Sequence, residues 1–541
     1  MRKSWAVLLL AAALYLVNLW GYDLWNPNEP FFGEGAREML ADGQWLVSHI
    51  NGKVNTHKPP LFFWLIALMS LPLGRVTAMT ARLPSVFSAL GTLALTLRLG
   101  RRAYSERTAV LAVVILATSY MFWAQARGAE TEALLCFLIW TSLSAFEAWR
   151  AGDANGRRAG VLFWTAAGLA VLTKGPVGFL LPLGIALITL ATDRSIGRWR
   201  EFAPFTGPLA FVAVTGAWIV ATVLWGPPEY SVWGALKEHF IERGIHGMHH
   251  VQPWWYFATI LPPQLVPWIF LVPGALLLAW RRRDPFDRFL LVTVAFVVVF
   301  FSISTEKRAV YVLPAYPAFA LMTAHLLGVL FGWEKASAIS RRWLTVGQTV
   351  LAALLVLLGA ALPFVADRAA KYVPGWTVWA LAALLLATGV ASLIALLRKR
   401  LLAACLVPAT GVAAIYVFVA LFVYPAINHL KSGRALALSI KEETESSRAA
   451  GHPVLACGVG TIYRSFNFYS DGVYFVRKEE PEDLARHLDQ EPRVFAVVNV
   501  KLLEEIPRPI RERVVIIDTL ETDRRDLALI ANRPEHSPGS R

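Results

Sequence analysis

Residues 281–303 read RRRDPFDRFLLVTVAFVVVFFSI, a basic cluster followed by an apolar run, and this pattern decides the fold class. Similar apolar runs of about 20 residues recur along the chain, and each can cross a hydrocarbon core of about 30 Å. Of the 541 residues, 56% are hydrophobic, and the mean hydropathy is +0.49. A soluble protein with this composition would have too little polar surface to stay in solution. The sequence therefore predicts a mainly α-helical protein that crosses a membrane many times.

The net charge of +14 could by itself suggest a nucleic-acid partner. However, the basic residues lie in short clusters between apolar runs, which is the pattern of cytoplasmic loops under the positive-inside rule. No nucleic-acid partner is therefore expected. Because the apolar sequence between consecutive clusters suffices for a helical hairpin, all the clusters can face the cytoplasm together with the N-terminus. These clusters lie at residues 98–107, 150–158, 194–200, 281–288, 335–342 and 398–400.

The apolar segment 61–73 decides the number of spans. If it crossed the membrane, the cluster around Arg101 and Arg102 would lie outside and every later cluster would be inverted. The segment is also short for a span. We interpret it as a helix in the outer membrane interface, which gives about thirteen spans, a cytoplasmic N-terminus and an external C-terminus. The apolar run 5–20 is interpreted as an uncleaved first helix, since no clear signal-peptidase site follows it.

Two outer segments contain more than connecting sequence. In the first outer loop, residues 23–81, the segment 29–41 has the pattern of an amphipathic helix in the membrane plane. After the transmembrane domain of residues 1–423, the tail of residues 424–541 is predicted to be a small α/β domain outside the membrane. Its β-like runs are 454–457, 494–500 and 514–517, and its helix-like segments are 434–448 and 481–488.

Charged residues that the positive-inside rule does not explain collect at the outer ends of the predicted helices. A single such residue is more commonly a snorkelling helix end or a loop charge. Several cations and carboxylates at one level indicate a site instead, since ionisable groups at the ends of apolar helices are costly to desolvate. The cations favour an anionic ligand, and the carboxylates favour acid–base or sugar-hydroxyl chemistry. The residues are Glu29, Glu34, Arg37, Glu38, Lys58, Arg82, Glu130, Glu132, Lys174 and Lys307.

Short motifs follow one another in a fixed order along the first 330 residues. They are Asn28-Glu29, Arg37-Glu38-Met39-Leu40, Asn51-Gly52, Lys58-Pro59-Pro60-Leu61, Arg82-Leu83-Pro84-Ser85, Thr131-Glu132-Ala133, Lys174-Gly175-Pro176 and Ser304-x-x-Lys307-x-x-x-Tyr311. This order resembles the bacterial lipid A aminoarabinose transferases and, more remotely, the protein O-mannosyltransferases, both of them C-type glycosyltransferases. The motifs of the first loop and Lys174-Gly175-Pro176 are its most specific part.

The resemblance implies an inverting transfer of a sugar from a polyprenyl-phosphate carrier on the outer face of the bacterial inner membrane. The acceptor would be lipid A, another glycolipid or a protein, and the sugar stays open. The leaving group is a lipid phosphate, which is stable as an anion, so the site needs fixed cations more than a general acid. A lipid-linked saccharide transporter is the alternative, but broken helices and midplane polar groups, typical of transporters, are not indicated by the clean apolar runs.

The resemblance also assigns expected roles to residues. The candidates for the donor phosphate are Lys58, Arg82, Lys174, Lys307 and Tyr311, and those for other substrate contacts are Glu34 and Arg37. The catalytic candidates are Asn28, Glu29 and Glu132.

This sequence departs from the family at Asn28, where relatives usually have an aspartate that is the favoured catalytic carboxylate. An amide has no useful proton affinity near neutral pH. We expect Glu132, acting with Glu29, to serve as the base. An anionic acceptor that needs no strong base and a loss of activity are the two alternatives.

A second departure is His57, which stands where the family often has an acidic residue before the Lys-Pro-Pro-Leu run. A divalent metal bridging His57 and a histidine of the later outer loop, such as His249, is one hypothesis. The favoured alternative is that His57 and the loop residues His246, His249 and His250 are ordinary polar residues in water. No cofactor is therefore required.

The topology can be tested with reporter fusions. A fusion after Val423 is expected to report the external side and a fusion at Asp284 the cytoplasmic side, because the basic clusters fix the orientation. A cytoplasmic signal from the fusion after Val423 would mean that segment 61–73 spans the membrane, and the placement of the site on the outer face would then be wrong.

Overall fold

Long apolar helices make up most of the computed structural model, which describes residues 2–236, 251–335, 341–449, 454–459, 464–478, 481–490, 493–521 and 526–532. Several helices begin where the sequence supplies a cap. Ser105, Asn155 and Asp284 each accept a hydrogen bond from a backbone N–H group in the first turn of the helix that follows. Such a cap gives a partner to donors that would have none inside the helix. The predicted mainly α-helical fold class is confirmed.

The structure contains many α-helices and several short 3-10 segments. The α-helices are Arg2–Leu16, Glu29–Asp42, Leu61–Ser70, Ala78–Ala103, Glu106–Thr118, Tyr120–Arg127, Thr131–Arg150, Gly156–Lys174, Val177–Thr192, Thr206–Trp225, Val232–Leu236, Tyr256–Gln264, Val272–Arg282, Pro285–Ile303, Tyr316–Leu330, Arg342–Ala361, Ala366–Ala369, Gly375–Leu397, Leu401–Phe418, Tyr424–Ala426, Asn428–Lys431, Arg434–Ala449, Arg464–Ser470, Pro481–Leu488 and Arg508–Arg511. The tighter 3-10 segments are Leu71–Leu73, Ile196–Glu201, Ile269–Leu271, Ala309–Ala315, Leu362–Val365 and Val500–Glu504.

Eight helices within the described residues are long and apolar enough to cross a membrane, and there are up to ten such spans if two bent pairs are included. The pair Glu106–Thr118 and Tyr120–Arg127 bends by 68°, and the pair Tyr256–Gln264 and Ile269–Arg282 by 117°. The predicted count of thirteen is therefore not confirmed. An apolar run in the sequence need not form one long straight helix, and other runs form helices of only 10–17 residues. The eight are Ala78–Ala103, Thr131–Arg150, Thr206–Trp225, Pro285–Ile303, Ala309–Leu330, Arg342–Ala369, Gly375–Leu397 and Leu401–Ala426.

The ambiguous apolar segment forms the helix Leu61–Ser70, followed by the 3-10 turn Leu71–Leu73. The turn ends at Gly74, whose φ of +61° is readily adopted only by glycine. The segment belongs to the shorter apolar helices rather than to the long ones. Its expected position in the membrane interface stays a prediction.

The chain divides into two compact units. The first consists of Met1–Leu19, Thr56–Leu65 and Arg82–Val423, and the second of Trp20–Asn55, Ile66–Ala81 and Tyr424–Arg541. Much of the first outer loop thus groups with the tail. The domain organisation predicted from the sequence, with a transmembrane domain up to residue 423, stays a prediction.

The first outer loop contains two short strands, β1 (His49–Ile50) and β2 (Lys53–Val54), and the tail contains a five-stranded sheet. Its strands are β3 (Leu455–Val459), β4 (Phe475–Lys478), β5 (Val494–Asn499), β6 (Val515–Leu520) and β7 (Leu527–Ala531), in the spatial order β4-β3-β5-β7-β6. β3 runs parallel to β4 and to β5. β7 is antiparallel to both β5 and β6. The predicted α/β character is confirmed, whereas β4, β7 and the helix Arg464–Ser470 were not predicted.

The tail sheet has an apolar core on each face. One core includes Leu436 and Ile440 of the helix Arg434–Ala449, and the other includes Leu484 and Leu488 of the helix Pro481–Leu488. Both faces of the sheet are therefore covered, as parallel strands require.

The helix predicted in the first outer loop is present as Glu29–Asp42. Its apolar side chains Phe31, Phe32 and Met39 are buried, but so are Glu34 and Glu38, each only 1% exposed. The helix ends at Gly43 in the left-handed conformation, with φ of +68°. An amphipathic helix on a membrane surface would leave its charged side in water, so the burial of this acidic side was not expected.

Candidate active site

A cavity of about 850 Å³ lies in the first unit. Its lining combines apolar side chains from the helices Val177–Thr192, Thr206–Trp225 and Pro285–Ile303 with charged groups. The charged or polar lining residues include Lys58, Glu132 and Lys174. The apolar wall includes Phe179, Phe211, Trp218, Ile219, Phe300 and Phe301. A cavity that is both charged and apolar suits an amphiphilic ligand with an anionic head and a hydrocarbon tail.

At the charged part of the cavity, the ammonium of Lys174 donates a hydrogen bond of 2.7 Å to Glu132 Oε1. The two side chains are 15% and 5% exposed. Lys174 is the last residue of the helix Gly156–Lys174, and Glu132 lies in the first turn of the helix Thr131–Arg150. A cation at a helix C-terminus and a carboxylate at an N-terminus are each stabilised by the helix dipole. The helix ends thus place and stabilise both charges.

The end of the first of these helices explains the position of Lys174. Gly175 follows it with φ of 75° and ψ of −157°, a conformation that a residue with a Cβ atom rarely adopts. Pro176 then precedes the next helix, Val177–Thr192. The motif Lys174-Gly175-Pro176 is therefore a helix stop that leaves the lysine at the cavity.

Further groups surround this ion pair. The ammonium of Lys174 lies 4.8 Å from the centre of the Tyr311 ring, which is a cation–π distance. Lys58 and Arg308 interact electrostatically with the Glu132 carboxylate. Of the predicted donor-phosphate residues, the structure brings Lys58, Lys174 and Tyr311 together at one cavity.

Two predicted phosphate ligands lie elsewhere. Arg82 is completely buried, and its guanidinium donates to the backbone carbonyl of Leu19 at 2.8 Å. The ammonium of Lys307 donates to the carbonyls of Gln252 and Ser304 at 2.9 and 2.5 Å. Neither residue is part of the cavity lining. In this structure both cations donate hydrogen bonds to backbone carbonyls. Their role as phosphate ligands stays a prediction.

Asn28 and Glu29 belong to the second unit, whereas the cavity is built from the first. Asn28 is the N-cap residue of the helix Glu29–Asp42. The Glu29 carboxylate accepts a hydrogen bond of 2.9 Å from the Trp25 backbone N–H group, and the residue is 8% exposed. Glu29 thus shapes the turn before its own helix, and its catalytic role stays a prediction.

Glu34 and Arg37, predicted to contact substrate, form a bidentate ion pair with distances of 2.8 and 2.9 Å. Arg37 also lies 3.9 Å from Glu38 and from Asp471. Burial and the hydrogen bond with Glu34 raise the pKa of Glu38 to about 8. The raised pKa favours the protonated form of this carboxyl, and a neutral Glu38 would reduce the repulsion between two acids beside one arginine. Their role in substrate binding stays a prediction.

His57 lines the cavity, but His246, His249 and His250 lie outside the described residues. Within those residues, no group of three or more histidine, cysteine, aspartate or glutamate side chains could hold a metal ion. The metal bridging His57 and His249 remains a hypothesis.

The sequence did not single out three other groups, two that line the cavity and one that interacts with Glu132. Glu306 and Tyr230 line the cavity, and Arg308 acts on Glu132. Glu306 and Arg308 flank Lys307, so the dense charge of the stretch 304–308 could have indicated them. For Tyr230, whose pKa burial raises to about 12, the sequence contains no comparable signal.

The buried ion pair at the cavity is expected to contribute to the stability of the protein. Replacing Glu132 by Gln would leave the Lys174 ammonium near other cations without its carboxylate, and breaking such a buried pair costs about 3 kcal/mol. The double variant Glu132→Gln/Lys174→Met is expected to recover most of this loss. The measurement is thermal unfolding of the purified protein in detergent.

The exposed pair of Arg101 and Glu106 provides the matched control, since its side chains are 34% and 48% exposed. Glu106→Gln should change the stability by less than about 1 kcal/mol. An equal effect of Glu132→Gln and Glu106→Gln would contradict the assignment of a buried pair.

Comparison with known proteins adds independent findings. Residues 57–225 match the family described as dolichyl-phosphate-mannose-protein mannosyltransferase. An uncharacterized protein of Aquifex aeolicus is 33% identical over 334 residues, which cover 60% of this chain and 64% of that protein. The undecaprenyl phosphate-alpha-4-amino-4-deoxy-L-arabinose arabinosyl transferase of Pseudomonas paraeruginosa is 32% identical over 335 residues, 60% of each chain. The match thus spans less than two thirds of the length of these relatives.

The crystal structure of ArnT from Cupriavidus metallidurans bound to undecaprenyl phosphate superimposes with a TM-score of 0.79. It covers 99% of this chain and 100% of that one at 21% sequence identity, and at that identity the similarity establishes the fold. The resemblance predicted from the motifs is therefore confirmed: this chain is similar to the aminoarabinose transferases and the mannosyltransferase family, and it has the C-type glycosyltransferase fold.

Proposed function

We propose that this chain is an inverting glycosyltransferase of the bacterial inner membrane. It would transfer a sugar from a polyisoprenyl-phosphate donor, such as an undecaprenyl-phosphate sugar, to lipid A, another glycolipid or a protein on the outer face. The observation that carries this proposal is the Lys174–Glu132 pair at a cavity with an extended apolar wall. A lipid phosphate has the matching chemistry, because its anion suits the lysines and its hydrocarbon tail suits the aromatic wall.

The cations would act on the leaving group. As the bond between the anomeric carbon and the phosphate oxygen breaks, its electron pair moves onto the phosphate. Fixed ammonium groups stabilise such developing charge more strongly inside a protein than in water. Lys174 and Lys58 line the cavity and would provide this stabilisation. Tyr311 lies against Lys174 and would help to hold its ammonium in place.

The carboxylate of Glu132 would act on the acceptor. It accepts a hydrogen bond from Lys174. A bound phosphate would compete for that ammonium and free the carboxylate to accept the proton of the acceptor hydroxyl. The hydroxyl oxygen would then attack the anomeric carbon from the face opposite the phosphate, which inverts its configuration. Glu132 is favoured over Glu29, whose carboxylate is engaged by a backbone N–H group in the other unit.

A lipid-linked saccharide transporter is the second candidate. The observation in its favour is that two helix pairs are sharply bent, by 68° and 117°. Transporters build their substrate sites from such discontinuous helices.

The two functions can be separated with purified protein in liposomes. We expect a new glycosidic bond between the sugar of undecaprenyl-phosphate 4-amino-4-deoxy-L-arabinose and lipid A, because the relative from Pseudomonas paraeruginosa is named for that sugar donor. Mass spectrometry of the lipids measures the product, and polyprenyl-phosphate mannose with a serine/threonine peptide is the second substrate pair. Movement of the donor across the bilayer with no product from either pair would favour the transporter.

The identity of the base makes a further prediction. Glu132→Gln is expected to lower the transfer rate at least about 100-fold, the lower range for loss of a general base. Asn28→Asp is expected to keep or raise the rate, because it restores the carboxylate that the family usually has. The measurement is the initial rate of transfer with saturating donor. The rate of the variant Glu29→Gln, measured in the same way, tests the second candidate carboxylate. Near-normal rates for both Glu132→Gln and Glu29→Gln would exclude both as the base and favour an anionic acceptor.

A further inference from the structure

The first outer loop contains a small hairpin, formed by β1 (His49–Ile50) and β2 (Lys53–Val54). Ile50 pairs with Lys53, so Asn51 and Gly52 form a two-residue turn. Their φ angles are +58° and +69°, which is the combination required by a type I′ turn. Asparagine followed by glycine is the preferred sequence there, since both tolerate the left-handed conformation. The turn therefore explains the motif Asn51-Gly52 locally.

The turn does not explain what the side chain of Asn51 does. Its Nδ2 group donates to the backbone carbonyl of Phe475 at 2.5 Å, and its Oδ1 atom accepts from the Phe475 N–H group at 2.8 Å. Phe475 begins β4, an edge strand of the tail sheet. The amide thus occupies both backbone polar groups of an edge residue, as a neighbouring strand would. Both partners belong to the second unit.

The other residue of the turn is held from the opposite direction. The Gly52 N–H group lies 3.2 and 3.3 Å from the two carboxyl oxygens of Glu38, in the loop helix Glu29–Asp42. A Cβ atom on Gly52 would approach the Tyr474 ring to 3.3 Å. The tip of the hairpin therefore contacts Glu38 of the loop helix on one side and Tyr474 and Phe475 of the tail on the other.

The hairpin is followed directly in sequence by residues that line the cavity. Asn55 follows β2, is 3% exposed, and bonds to Ser48 through both its backbone N–H group and its side chain at 2.9 and 2.8 Å. The next four residues, from Thr56 to Pro59, line the cavity. Lys58 thus lies only four residues after the last residue of β2. If the hairpin is fixed, so short a connecting segment limits how far Lys58 can move.

We propose that Asn51 is a positioning residue for the donor site, which joins the hairpin to the tail and thereby fixes the chain that carries Lys58. This inference rests on the proposed transfer reaction. It also gives the tail a specific role, because β4 provides the backbone groups that the Asn51 amide binds. Asn51 acts on the reaction only through the position of Lys58.

The variant Asn51→Gly tests this role. It keeps the positive φ of the turn and removes both hydrogen bonds to Phe475. The KM for the lipid donor is expected to rise about tenfold, the effect of two ordinary hydrogen bonds, while the KM for the acceptor stays constant. Hydrogen exchange at the backbone amides of residues 54–58 should become faster in the same variant. Asn51→Asp keeps the acceptor for the Phe475 N–H group and should fall between wild type and Asn51→Gly.

The matched control is Asn499→Gly, which removes the side-chain amide of an asparagine in the tail. Asn499 accepts a hydrogen bond from the Lys501 backbone at 3.0 Å, and this contact stays inside the tail. If Asn51→Gly changes neither the KM for the donor nor the hydrogen exchange of residues 54–58, the proposal is wrong. Equal changes in Asn51→Gly and Asn499→Gly would also overturn it, because they would indicate a general loosening of the tail. If the wild type transfers no sugar, the proposed reaction fails, and the exchange measurement decides by itself whether Asn51 holds the segment.

Discussion

A charge inside an apolar helical protein must be paired, and this constraint organises the site. Lys174 and Glu132 form such a pair at the cavity. Transfer of either ion from water to a poorly solvated site would be costly alone. Each stands at the end of a helix whose dipole has the favourable sign. The helix ends and the mutual pairing together stabilise both charges at the cavity.

The need for a partner also explains why lysines and arginines that look alike in the sequence have different surroundings in the structure. Arg82 and Lys307 both donate hydrogen bonds to backbone carbonyls. Such contacts satisfy a buried cation and connect distant segments at the same time. Arg37 is satisfied in a third way, by a bidentate contact to Glu34. Lys174 differs from these cations in that its carboxylate partner, Glu132, also lines the cavity.

The sequence was sufficient for properties that depend on local pattern. The apolar runs predicted the helical class, and the predicted helix ends grouped Glu132 and Lys174 at one level, although the sequence did not predict their ion pair. The sequence was insufficient where tertiary contacts decide. β7 reads LALIA and is buried along its whole length, so its pattern lacks the alternation of a half-exposed strand. The direction of the Arg82 and Lys307 side chains depends on carbonyls at positions 19, 252 and 304, which sequence spacing does not place.

The ion pair has a consequence for the order of events in the proposed reaction. While Lys174 holds the carboxylate of Glu132, that carboxylate is a poor proton acceptor, because accepting a proton would cost the ion pair. A donor phosphate that takes over the ammonium removes this restraint. The base would therefore become effective only when the donor is bound.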